Sequence, residues 1–366
     1  SSLGGKERVL HFSFKGSLAH SLAVLVLLVA IPFSALYFFY WEANRYLGAL
    51  NFVKGTRIFN ETRNVDEAAG LLEKAVLKDS WNDDYLRSLA LIRIEQIKNI
   101  LNRAGGAEID EQTKQVLGAL ANSAIEAGRA AVEINSADFQ NFEALGKAYE
   151  GLIPLVGNAS ESSLEAYQKA ADLNPKGPAH LLNKARVSLI SYDNYSSQAQ
   201  GKSGEELNAL VKKQKDALND AENLLKKSLE LKQNYSEAYL ALAQVYERQD
   251  KTGEAIRAAE SAVLANPEGT GELFQLGYLY YKQSRFSDAK IVFQKLANLY
   301  PTYSNGRYFL GLIYDKIGDK KAAVSEFEIV SALNPDNAEV KKILENLRAS
   351  RPAFEAAVPE NPLEKK

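Results

Sequence analysis

Cysteine and methionine are both absent from this 366-residue sequence, and histidine occurs only three times. Without cysteine there is no disulfide framework, thiolate metal site or cysteine nucleophile, although the redox compartment stays open. A chain of this length ordinarily carries several methionines, so their absence and Ser1 lead us to expect part of a longer product or a processed form. His11, His20 and His180 fall in no metal-ligand spacing, and His20 reads as an interfacial residue at the edge of an apolar run. The phosphate-cradling glycine loop, the Gly-x-Ser-x-Gly elbow and the His-Glu-x-x-His helix are missing as well. Carboxylates such as Glu254 and Glu326 read as the solvated faces of amphipathic helices. The sequence therefore predicts no enzyme, no cofactor and no metal. It also lacks a dominant charge sign, since 44 basic and 46 acidic residues leave a formal charge of -2, so nothing recommends nucleic acid as a partner.

What is present begins with an uncharged run of 24 residues, Leu18 to Trp41, dominated by Leu, Val, Ala, Ile and Phe. As a helix it is about 36 Å long, enough to cross a hydrocarbon core of about 30 Å. Tyr37, Phe38, Phe39, Tyr40, Trp41 and Tyr46 cluster at its C-terminal end, the side-chain chemistry of a headgroup boundary. A buried core helix or a signal peptide competes with this reading, but the run is long for both and no small-residue cleavage pattern follows. Lys6, Arg8 and Lys15 precede the span and Arg45 follows it; this bias favours a cytoplasmic flank and an extracytoplasmic body.

A fixed period appears further on. Tyr239, Leu242, Ala243, Tyr246, Ala255, Ala259, Ala262 and Pro267 are followed 34 residues later by Leu273, Leu276, Gly277, Tyr280, Ala289, Phe293, Leu296 and Pro301. Another 34 residues give Arg307, Leu310, Gly311, Tyr314, Ala323, Phe327, Val330 and Pro335. Within each unit the first four positions share one helical face and the next three share a face of a second helix. Each unit reads as a helical hairpin closed by proline. Weaker versions lie upstream: Phe52 and Phe59 before Ala68, Leu72 and Ala75; a helix from Tyr85 to Ile100 with a partner from about Asp110 to Asn135; Gly146, Tyr149, Tyr167, Ala170 and Pro175; and Ala221, Leu225 and Ser228. Gly105 and Gly106, and the polar stretch Tyr192 to Gly204, read as interruptions.

The eight recurring positions resemble the tetratricopeptide repeat family. The expected fold is all-α, an N-terminal transmembrane helix followed by an α-solenoid of about seven hairpins. Its segments are a basic flank (1–17), the span (18–41), degenerate hairpins (45–135), hairpins with insertions (136–235), three regular repeats (236–337), a capping helix (338–350) carrying Val340, Ile343, Leu344 and Leu347, and a flexible tail (351–366). More loosely, the basic flank, the aromatic-ended span, Tyr46-Leu47-Gly48, the degenerate repeats and Asp84-Tyr85-Leu86-Arg87-Ser88-Leu89-Ala90 look like the C-terminal part of bacterial O-antigen ligase or polymerase-like membrane proteins. That resemblance implies an accessory region of a glycan-transfer protein whose chemistry lies in helices outside this sequence.

By resemblance to the repeat family, groove-facing positions fall on Glu237, Leu240, Gln244 and Glu247 in the first regular unit, on Gly271, Phe274, Tyr278 and Tyr281 in the second, and on Asn305, Tyr308, Leu312 and Asp315 in the third. These residues do not reproduce the Lys and Asn clamp with which some members hold a peptide carboxylate. They offer an aromatic strip, Phe274, Tyr278, Tyr281 and Tyr308, bordered by Lys282 and Asp315, suited to an extended peptide or a sugar face. Packing between hairpins competes evenly for Tyr278 and Tyr308 and is favoured for Phe274. Tyr246, Tyr280 and Tyr314 belong by register to the core. The expected partners are a protein or peptide in the groove, with a glycan as the alternative occupant, and membrane lipid through the span. Self-assembly through the open ends of the array is a third reading.

Overall fold

The computed structural model describes residues 18–104, 109–153 and 155–354, with side chains from residue 22 onward. Among these residues there are fifteen helices and no strand. The basic flank, Gly105 and Gly106 and the tail from 355 lie outside the described positions, as does the side chain of His20. Two compact units divide at Tyr85.

The first unit is built on α1 (Leu18–Thr62), 45 residues long, and α2 (Val65–Lys78). The apolar run and the first helix of the opening hairpin are therefore one continuous helix, where a separate span ending at residue 41 was expected. Nothing between 42 and 45 breaks it, because Glu42, Ala43, Asn44 and Arg45 include neither glycine nor proline. Within the apolar run the large side chains, Leu25, Leu28, Phe33 and Phe39 among them, are exposed. Beyond it Gly48 and Gly55 face α2, whose Ala68, Leu72 and Ala75 are buried. A Cβ at Gly55 would meet the Ala68 carbonyl and Leu71 Cβ at 3.2 Å, so small residues set the helix separation. Asn64 caps α2, its Oδ1 accepting from the Glu67 N–H at 3.2 Å. Tyr85 closes the unit with its ring stacked on Phe52, centroids 4.8 Å apart.

The second unit, residues 86–366, continues α3 (Asp83–Ala104) and α4 (Glu111–Ile134), which contribute Ile94, Ile97, Leu117, Ala121 and Ala124 to one buried cluster and are linked by Arg93 Nε donating to Ser123 Oγ at 3.3 Å. Five more hairpins follow: α5 (Phe139–Glu150) with α6 (Ala159–Leu173), α7 (Pro178–Ala199) with α8 (Gly204–Leu231), α9 (Ser236–Arg248) with α10 (Thr252–Ala265), α11 (Thr270–Lys282) with α12 (Phe286–Leu299), and α13 (Ser304–Lys316) with α14 (Lys320–Leu333). A last helix, α15 (Ala338–Arg348), buries Val340, Ile343, Leu344 and Leu347. The stretch from Tyr192 to Gly204 is not the break the sequence suggested: α7 stays helical to Ala199 and α8 starts at Gly204, so this hairpin is longer than its neighbours.

Three local devices recur with the repeat. The residue between paired helices adopts left-handed backbone at Asp250 (φ 57°), Ser284 (φ 57°) and Gly318 (φ 86°), spaced by the repeat length. The following N–H reaches back five residues, Lys251 to Tyr246 O, Arg285 to Tyr280 O and Asp319 to Tyr314 O, each at 2.9 Å, which satisfies helix-end carbonyls. Close approach between paired helices comes from glycine: an added Cβ at Gly277 or Gly311 would stand 2.8 Å from Phe293 or 2.7 Å from Phe327, both fully buried rings. Finally, in several hairpins a tyrosine hydroxyl makes a tie to the preceding one. Tyr280 donates to Glu260 Oε1 at 2.7 Å, Tyr314 accepts from Gln294 Nε2 at 2.9 Å, and Tyr149 accepts from Arg129 at 2.7 Å. Burial and the Glu260 carboxylate push the Tyr280 hydroxyl up to about 12, so it remains a donor at neutral pH.

Candidate functional site

The order of contacts decides which surface is inner. In the second unit, first helices touch one another, α7 with α9, α9 with α11 and α11 with α13. Second helices instead meet the first helix of the next hairpin, as α8 meets α9, α10 meets α11 and α12 meets α13. The first helices therefore make a continuous layer, and its free face is the surface a partner could lie along.

On this face α9 and α11 are joined by charge. Glu247 accepts from Lys282 Nζ at 2.8 Å and from Gln275 Nε2 at 2.9 Å, while the Lys282 ammonium stands 5.6 Å from the Tyr278 ring centroid. Toward α7, Arg248 makes a two-pronged contact with Asp193, Nε to Oδ1 at 3.1 Å and Nη2 to Oδ2 at 3.0 Å. Its guanidinium also lies 5.8 Å from the Tyr192 ring centre. Beside this contact a hollow of about 370 Å³ opens between the long α7–α8 hairpin and the α9–α10 turn, lined by Tyr192, Lys215, Leu218, Arg248 and Lys251. Arg248, Asp193 and Gln275 were not among the residues singled out in the sequence. Arg248 reads there as an ordinary cation near a helix end, and only folding brings Asp193, 55 positions away, opposite it.

The candidate residues divide sharply. Gln244 and Tyr278 are half-buried and Lys282 is exposed, all on the inner layer. Phe274 is half-buried, but its ring stands edge-on to Phe293, Tyr303 and Phe309 at 5.9, 6.1 and 5.5 Å, which is packing between hairpins. Tyr281, Tyr308 and Leu312 are corrected outright: they are core residues, 7%, 3% and 2% exposed. The last regular repeat carries the chain's own C-terminal segment on the positions assigned to a ligand. Tyr308 donates to Glu339 Oε1 of α15 at 3.1 Å. Asp315 accepts from the Ala353 N–H at 2.9 Å and pairs with Lys320. Lys320 also donates to the Arg351 carbonyl at 2.8 Å, and Ala353 is buried. Residues 351–354 are thus held in place, whereas a flexible tail was expected to start at 351.

The remaining histidine is structural. His180, at the start of α7, is 1% exposed, with Glu143 Oε1 3.0 Å from its Nδ1 and the Phe139 ring edge-on at 5.5 Å.

Within the second unit, an all-helical array whose successive hairpins touch is an α-solenoid. Tetratricopeptide repeat models match residues 224–257, 273–303 and 305–337, so these three stretches are tetratricopeptide repeats. None of these matches reaches residues 1–135, which carry the looser resemblance to O-antigen ligase-like proteins. No curated protein sequence matches the chain. Among solved structures, a tetratricopeptide repeat protein from Parabacteroides merdae is similar at 15% identity over 83% of this chain and 99% of its own, with a TM-score of 0.49. Pseudomonas aeruginosa pilF is similar at 15% identity over 70% and 99%, with a TM-score of 0.44. YrrB, described as a tetratricopeptide repeat protein with an unusual peptide-binding site, is similar at 18% identity over 58% and 95%, with a TM-score of 0.39.

Proposed function

We propose that this chain is a membrane-anchored scaffold whose repeats hold a protein partner along the layer of first helices, around Gln244, Tyr278 and Lys282. The observation that carries the anchor is α1: from Leu22 its mean hydropathy reaches 2.6 with none of that window buried within the molecule, and it continues unbroken into the first hairpin. Leaving side chains such as Leu25, Leu28, Phe33 and Phe39 in water forfeits about 1.5–3 kcal/mol each. A bilayer recovers that energy. Lys6, Arg8 and Lys15 before the run favour a repeat region outside the cytoplasm. The binding role is supported by the repeat fold, a scaffold for protein–protein contact, and by a first-helix layer that presents an aromatic ring between charged and amide groups.

Native membranes carrying a photo-crosslinking side chain at position 278 or, separately, at exposed position 291 on α12 test both halves. The chain should resist carbonate extraction, and the double substitution Leu25→Arg with Val29→Arg, costing about 5–7 kcal/mol at the bilayer centre, should release it. Position 278 should give a discrete protein adduct that position 291 does not. Extraction of the unsubstituted chain by carbonate would remove the anchor, and equal adducts from both positions would remove the face assignment.

A further inference from the structure

The first hairpin carries a tryptophan, Trp81, that is 80% exposed, in the turn between α2 and α3. Leu77, at the end of α2, is 82% exposed. Their height along α1 can be read from contacts within the first unit. A Cβ at Gly48 would meet the Ala75 carbonyl at 3.3 Å and Lys78 Cβ at 3.5 Å. Three residues nearer the apolar run, Arg45 Nε lies 3.7 Å from Asp79 Oδ2, and the same guanidinium covers the Trp41 ring at 4.7 Å. The turn that starts at Asp79 therefore stands level with Arg45. From there to Trp41, the last residue of the uncharged run, is four residues, about 6 Å of helix. The headgroup layer on each face of a bilayer is about 5–8 Å deep; a tilt near 20° alters heights along the axis by less than a tenth and moves a point one helix spacing to the side by about 3 Å, less than the depth of that layer. The turn falls inside that layer.

From this geometry we propose that the 79–82 turn is a second membrane contact, with Trp81 seated among the headgroups of the bilayer that α1 crosses; the inference rests on the anchoring reading above. An indole has a broad apolar face and one N–H donor, so it gains at a boundary that is apolar on one side and wet on the other. Leu77 adds apolar area nearby. Asp83 and Asp84 open α3 beside the turn, so the contact works through the ring and should occur on zwitterionic lipid. Two points of attachment, the span and the turn, fix how the first hairpin is rotated about the axis of α1.

The chain holds only two tryptophans, Trp41 and Trp81, so each can be made the sole emitter. The full chain carrying Trp41→Phe or Trp81→Phe is reconstituted into phosphatidylcholine vesicles brominated near the headgroup or deep in the acyl chain. Trp81 should be quenched at least about two-fold more by shallow than by deep bromines, and shielded from acrylamide, as an interfacial ring is. If Trp41 is quenched while Trp81 is untouched by either bromine and as open to acrylamide as free indole, the contact is overturned and the anchor stands. If neither ring is quenched, the anchoring reading fails and takes the contact with it.

Discussion

Asp250, Ser284 and Gly318 occupy one backbone state with three different side chains, all left-handed and all followed by the same reach-back hydrogen bond. Only glycine enters that region without a steric cost, which is about 1–2 kcal/mol for an L-residue. Ser284→Gly should therefore raise stability by about 0.5–1 kcal/mol after the greater freedom of glycine in the unfolded chain is counted. At Gly277 the preference runs the other way. Alanine is the better helix former by about 1 kcal/mol, yet its Cβ would press on Phe293, a buried ring stacked on Phe309 at 5.4 Å. Overpacking of this kind costs about 1–3 kcal/mol. Thermal unfolding of both variants reads the two signs, and a gain in stability for Gly277→Ala would mean that Phe293 is free to move. Both residues lie in the regular repeats, but only Gly277 belongs to the recurring apolar pattern. The left-handed state of Ser284 has no compositional mark.

The α5–α6 hairpin shows what an element does with a buried carboxylate. Glu150, at the end of α5, accepts from the Tyr167 hydroxyl of α6 at 2.5 Å. Burial raises its pKa above the ordinary carboxylate value, with the Tyr167 hydrogen bond and the Arg186, Lys98 and Lys147 charges pulling partly back. Between the ordinary value and the raised one the folded chain holds more protons than the unfolded chain, so this group's contribution is complete below about pH 4.5 and fades as pH climbs. Glu150→Gln keeps an acceptor for Tyr167 and removes the titration. Its stability advantage over the parent should therefore grow from pH 4.5 toward neutrality, as measured by denaturant unfolding across that range. An advantage that is flat with pH would place the raised pKa elsewhere. At the opposite end of the array, α15 and residues 351–354 explain why the strip reading failed for Tyr308 and Asp315, which meet Glu339 and the Ala353 N–H. Tyr281 is taken up instead by packing against Phe286 and Phe309, and Leu312 is buried in the core.

Across the second unit, two buried clusters run along the hairpins, one from Ile94 to Val187 and the other from Leu182 to Ala353. Each hairpin contacts mainly its neighbours, so stability should be close to a sum of local terms. Phe293→Ala removes a fully buried ring, a loss of about 3–5 kcal/mol. Hydrogen exchange should then accelerate across α11, α12 and α13 while α5 and α6 keep their protection; uniform acceleration would show that the array unfolds as one block. The same sequential logic governs what could be read in advance. Periodicity fixes the hairpins, because a helix buries one face whatever it packs against, and so the seven pairs and the apolar run were legible, including the weak pairs around Ala68 and Tyr167. The long α7–α8 hairpin was not, since a polar stretch can be a loop or a solvated helix and only tertiary support separates them. Local chemistry, the 34-residue period and the uncharged run are properties of the chain alone. Which groove positions stay open, which cation meets Asp193 and which level of α1 the turn at Asp79 faces were decided only by the packed structure, because these depend on residues brought together from distant parts of the sequence.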